Sequence, residues 1–154
     1  MAEAARAFEQ ASEVNPDDYQ APTLAGTVYI GLGQKADAEA SYRQGLQLAE
    51  KHLELHPDDS RALCLGALSF CQLGERTRSL EWAAKALAME PNDSAVLYNV
   101  ACVYGLQGQP EEAITFLERA VANGFGHKDW IINDSDLNVL RGTPRFQDLL
   151  QKLS

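Results

Sequence analysis

The sequence predicts an all-α protein, a solenoid of antiparallel helix pairs stacked side by side. Three observations carry this. First, side-chain sizes recur: Tyr29, Phe70 and Tyr104 are each followed four residues later by Gly33, Gly74 and Gly108. Five residues beyond each glycine stands a small residue, Ala38, Ser79 or Ala113, and the step is 41 residues for the first interval and 34 for the second. Periods in this range mark units that bury a face only against their neighbours. Second, apolar residues recur at three- and four-residue steps without sustained strand alternation. Third, Pro16-Asp17-Asp18, Pro57-Asp58-Asp59 and Pro91-Asn92-Asp93 each stop one helix and offer a carboxylate to the next.

In residues 1–16, Ala4, Phe8, Ala11 and Pro16 fit only the second half of a unit, so this segment reads as the second helix of a truncated repeat. Residues 17–57 form the next unit, whose first helix begins around Gln20 or Ala21 because Pro22 suits only a first turn. Seven residues are inserted there between Gly45 and Pro57. Seven residues turn a helix through nearly two full turns, so Leu46, Ala49 and Leu53 stay in phase and one unbroken helix over 35–55 is expected, projecting roughly 10 Å past its neighbours. Residues 58–91 and 92–124 are two further units. In the latter, Gln109-Pro110-Glu111-Glu112 puts proline in a first turn and acids beside the positive end of the helix dipole.

Residues 125–154 are not another full unit. They predict a short helix around 128–132, a single turn around 136–140, and a last helix capped by Thr143 with Pro144 in its first turn. Trp130, Ile131, Leu137, Leu140, Phe146, Leu149 and Leu150 are expected to cover the open end, which would otherwise expose an apolar face.

These residues resemble the tetratricopeptide repeat (TPR) family. Leu97, Val100, Ala101, Tyr104, Gly108, Ala113, Leu117 and Ala120 stand at the family's signature spacing. So do Leu63, Gly66, Ala67, Phe70, Gly74, Ser79, Ala83, Ala86 and Pro91, and, less fully, Gly26, Tyr29, Gly33, Ala38, Tyr42 and Gly45. The resemblance covers about residues 1–124. It implies a right-handed superhelix whose concave groove is lined by the first helix of each unit, with a protein or peptide as partner. The closing segment, with Gly-Phe-Gly, Asp-Trp-Ile and Pro-Arg-Phe-Gln-Asp-Leu-Leu, resembles the end of TPR regions in bacterial multidomain signalling proteins, among them nucleotide cyclases, serine/threonine kinases and transcriptional regulators. That implies a regulatory or docking region with an effector domain upstream.

Carrying the register over places Thr23, Thr27 and Ile30 in the groove from the first complete unit. Arg61, Cys64, Leu65, Leu68 and Cys71 come from the next, and Tyr98, Asn99, Cys102 and Leu106 from the last. Asn99 can both donate to and accept from a peptide backbone, or can equally tie itself to a neighbouring helix. Carboxylate-gripping relatives use Lys and Arg alongside asparagines at defined groove positions; the corresponding places here hold Thr23, Thr27, Leu65 and Ala95, with only Asn99 matching, which argues against that mode. A segment with apolar anchors suits the surface better.

Composition narrows the rest. The chain has 154 residues, an apolar fraction of 45%, a net charge of −9 and a pI near 4.7. The acidity disfavours nucleic acid and anionic membranes as partners. Without a spanning run or a signal pattern, a cytoplasmic protein is expected. Cys64, Cys71 and Cys102 lack a fourth ligand and are expected to pack rather than bind metal. His52 and His56 read as a solvated pair at a helix C-terminus. No catalytic constellation and no cofactor motif appears, so an enzyme is not expected. The alternative function is self-association through the N-terminal helix or helix 35–55, making the chain a monomer or weak homodimer.

Overall fold

A computed structural model describes residues 2–153. Its elements run α1 (Ala2–Val14), α2 (Gln20–Gly31), α3 (Lys35–Leu55), α4 (Ser60–Gln72), α5 (Arg76–Met89), α6 (Ser94–Leu106), α7 (Pro110–Ala122), α8 (Lys128–Asn133), a 3-10 helix (Ser135–Leu140) and α9 (Pro144–Lys152). No strand occurs among the described residues. No helix among them is long and apolar enough to cross a membrane.

The recurrent aromatic-to-glycine spacing has a hydrogen-bond origin. Gly33, Gly74 and Gly108 adopt φ of 73°, 82° and 71°, a conformation that a Cβ strains. The N–H one residue later then reaches back to the aromatic residue's carbonyl: Gln34 to Tyr29 at 2.9 Å, Glu75 to Phe70 at 2.9 Å, Gln109 to Tyr104 at 3.0 Å. Each bond satisfies a carbonyl that the helix end would leave orphaned. Gly124, with φ of 104°, repeats the device, and Phe125 N–H donates to Ala120 O at 3.0 Å.

The helix starts are built as expected, each Pro-Asp turn offering a carboxylate to the helix that follows. The Asp59 carboxylate accepts from Arg61 and Ala62 N–H at 3.1 and 3.2 Å, and Asp93 accepts from Val96 N–H at 2.9 Å. At α2 the carboxylate comes from one residue further out: Tyr19 holds the capping position without a side-chain bond, and Asp18 accepts from Gln20 N–H at 2.9 Å. The inserted stretch stays helical, and α3 runs unbroken over Lys35–Leu55. Its in-phase residues Leu46 and Ala49 are buried, while Leu55 at the overhanging tip is exposed.

Of the histidine pair, His56 is exposed as expected, but His52 departs from a solvated reading. His52 is half-buried, its Nε2 lies 2.7 Å from Asp59 Oδ2, and its ring sits 5.0 Å from that of Tyr19. Tyr19 Oη donates to the same carboxylate oxygen at 3.2 Å. Burial works to raise the Asp59 carboxyl, but the Ala62 N–H, His52 and Tyr19 outweigh it and hold it below the usual carboxylate range.

Burial is densest at the C-terminal end. Leu97, Leu117, Ile131, Leu137, Leu140 and Phe146 form one apolar cluster joining α6 and α7 to the cap, each essentially inaccessible to solvent. A second cluster, with Ala67, Ala83 and Val100, fills the space between α4, α5 and α6. Only Ala5 is buried in α1. Trp130, expected in the cap's buried face, is instead 61% exposed.

Candidate functional site

Helices α2, α4 and α6 follow one another along one face, with α3, α5 and α7 packed behind them. The inner faces enclose a trench of about 610 Å³. Its N-terminal reach is lined by Thr23, Thr27 and Ile30, its middle by Arg61, Leu65 and Leu68, and its far reach by Tyr98, Asn99, Cys102 and Leu106. Thr27 and Ile30 are exposed, and Leu68, Asn99 and Leu106 are half-buried. Thr23 is buried, its hydroxyl donating to Tyr19 O at 2.9 Å. Leu65 is buried in the trench floor, and Arg61 Nε is engaged by Gln20 Oε1 at 2.8 Å.

Two sequence-derived residues are misplaced. Cys64 belongs to the core cluster between α4, α5 and α6 and does not line the trench. The reason is register: Thr23, Cys64 and Tyr98 are separated by 41 and 34 residues, the repeat steps, and all three are buried. That position faces the neighbouring helices more than the opening. Cys71 is half-buried and also lies outside the trench lining. Burial raises the thiols of Cys64, to about 12, and of Cys71, so neither is an activated nucleophile.

Tyr98 and Cys102 do line the trench, but the chain itself covers them. Tyr98 Oη donates to Asp134 Oδ2 at 2.6 Å, and its ring stacks on Phe125 with centroids 4.2 Å apart and planes at 7°. Cys102 Sγ lies 3.6 Å from the same Asp134 oxygen. The cap thus folds back over the α6 end of the trench. Gly105 makes this possible: a Cβ there would collide with the Asp136 backbone carbonyl. Arg141 fixes the returning loop, its guanidinium donating to Asp134 O at 2.9 Å and to Ile132 O.

Asp134, Asp136 and Trp130 are therefore trench residues that the repeat register did not supply. The available signal was Gly105, a helix-interior glycine three residues past Cys102 on the same face, which marks a close backbone approach. Cys102 Sγ and carboxylate oxygens of Asp134 and Asp136 lie within 4.8 Å of one another. Burial and the neighbouring Asp134 push the Asp136 carboxyl up to about 7. Burial, with Asp134 and Asp136, also raises the Cys102 thiol well above its ordinary value. Tyr98 is raised by burial, then by Cys102 and its bond to Asp134. Three donors, one of them a thiol held protonated, fit hydrogen bonding better than a structural metal centre, which takes four deprotonated or neutral ligands.

A family model described as the Psidin N-terminal TPR repeats region matches residues 36–133, more than half of the chain. A second tetratricopeptide repeat model matches residues 2–60. Among curated proteins, the chain is 29% identical over 122 residues to a chloroplastic protein of Arabidopsis thaliana, covering 77% of this chain and 30% of that protein. It is 25% identical over 146 residues to mouse (Mus musculus) interferon-induced protein with tetratricopeptide repeats 3, covering 95% of this chain and 33% of that one. The chain thus spans about a third of the length of these relatives. Among solved structures, it aligns with YrrB, described as a TPR protein with an unusual peptide-binding site, at 18% identity and a TM-score of 0.47, covering 81% of this chain and 80% of that one. A MamA structure aligns at 16% identity and a TM-score of 0.48, covering 96% and 75%.

Proposed function

The chain belongs to the tetratricopeptide repeat family, and from that premise we propose that it is a non-catalytic docking scaffold whose concave trench binds a protein or peptide segment. One observation carries this reading. Ile30, Leu68 and Leu106 leave apolar surface uncovered along the same trench in which the half-buried Asn99 presents its amide. Burying apolar side chains of a segment there contributes on the order of 25 cal/mol per Å². An amide beside those anchors can donate to and accept from one peptide unit, which fixes the segment's direction.

Selection of a random displayed peptide library on the immobilised chain tests the reading. Peptides enriched on the native chain should lose binding to Leu68→Ser, which removes an apolar anchor from the trench middle without adding charge. Equal retention by both chains would contradict the groove as the binding surface.

The closing segment's resemblance to bacterial signalling proteins supports a finer reading, a cytoplasmic regulatory or docking region joined to an effector domain. The full-length gene sequence tests it, since a cyclase, kinase or DNA-binding domain is expected alongside. The net charge of −9 supports a partner other than nucleic acid. Self-association through α1 or α3 would instead make the scattering mass rise with concentration.

A further inference from the structure

The cap end of the trench carries negative charge that the rest of the groove lacks. Asp134 and Asp136 present carboxylates there, close to each other and to Cys102. Asp134 already accepts from Tyr98 on one oxygen and from the Asp136 N–H on the other, whereas Asp136 is raised by burial and by Asp134, with no basic side chain offsetting them. The basic residue in the trench lining, Arg61, belongs to α4 and is engaged by Gln20. Between lie the apolar Leu68 and Leu106, and the exposed Trp130 stands at the rim beside the acids. The surface therefore has an apolar run ending in an uncompensated anionic pocket with an aromatic edge.

We propose, resting on the groove reading above, that the occupant is a protein segment presenting a lysine or arginine beside apolar anchors, its cation seated against Asp136 and Asp134. Complementarity favours this occupant. Two carboxylates crowded together in a partly buried wall repel, and an incoming cation relieves that repulsion while its aliphatic stem covers apolar surface. Trp130 offers a ring face to the same cation.

Cation binding favours the charged form of Asp136, so affinity should rise with pH through the neutral range. The groups facing Asp136 leave that signal clean. Tyr42 of α3 is raised to about 12 by burial, and Cys71 of α4 and Tyr98 and Cys102 of α6 are all raised, so each stays uncharged. His127, stacked 4.8 Å from Trp130, is a further imidazole close to the rim, and the Asp136→Asn variant separates its contribution.

The test takes the peptides selected as above and measures their binding to the full chain by fluorescence anisotropy. The enriched sequences should carry Lys or Arg flanked by apolar residues, and replacing that residue by norleucine should weaken binding about tenfold. Asp136→Asn should remove that difference, so that the cationic peptide binds the variant no more tightly than its norleucine version does. Affinity of the cationic peptide should rise about tenfold from about pH 6 to about pH 8, whereas the norleucine version should show no such rise. Enriched peptides that depend on Leu68 but carry no cation, or norleucine peptides that bind equally well, would overturn the cation inference and leave the groove reading standing. Peptides indifferent to Leu68→Ser would overturn both.

Discussion

Thr27, Leu68 and Cys102 stand at one register position of three successive units, 41 and 34 residues apart, yet they are respectively exposed, half-buried and buried. The helices that carry them are alike; what lies over them differs. At the α6 end Asp134 and Asp136 return across the trench and Phe125 stacks on Tyr98, while at the α2 end Thr27 and Ile30 face the opening. Repeat register therefore decides which way a side chain points, and the cap decides whether the position is still available to a partner.

The largest expected effects break the closed end alone. Leu137 is fully buried in the cluster that ties the cap to α6 and α7, so Leu137→Ala should cost about 3 kcal/mol in denaturant unfolding. Next, Gly105→Ala pushes a methyl into the Asp136 carbonyl, and neither backbone can yield cheaply. A loss of about 2 kcal/mol is expected despite alanine's better helix propensity, with Asp136 displaced from the trench.

The α3–α4 junction holds the open end to the rest, and Asp59→Ala should cost about 1.5 kcal/mol by removing a helix cap and the partner of His52. Its pH signature has a definite sign. The Asp59 carboxyl is below its ordinary range, so its contribution is present above about pH 4 and is lost as pH falls through the folded value. Asp59→Asn should flatten that acid limb of the stability curve. Tyr98→Phe, which removes only the bond to Asp134, should cost about 1 kcal/mol. At the open end, Ile30→Ala should change stability by less than about 0.5 kcal/mol while weakening peptide binding. A comparable loss at both ends would erase the contrast.

The repeat itself was legible because its signals are local. The aromatic-to-glycine spacing reflects one hydrogen bond per unit, and the Pro-Asp turns reflect helix caps formed by Asp59 and Asp93. The unbroken α3 followed from phase arithmetic alone. What escaped was long-range. Nothing near Asp134 signals that it meets Tyr98, 36 positions earlier in the chain. Register alone puts Cys64 in the groove, because a repeat step separates positions by direction and not by the depth at which neighbouring helices close over them. Trp130 reads as a core residue by size, yet its helix presents it to solvent at the groove rim.

A partner segment that enters the trench through its open end and middle must disturb the backbone there first. Titrating a selected peptide into the isotope-labelled chain and following backbone amide shifts by NMR reads this out residue by residue. The largest changes are expected at Thr27, Leu68, Asn99 and Leu106, with α5 and α7 unmoved on their outer faces. Changes confined to those outer faces, with the four trench amides unmoved, would contradict docking in the trench.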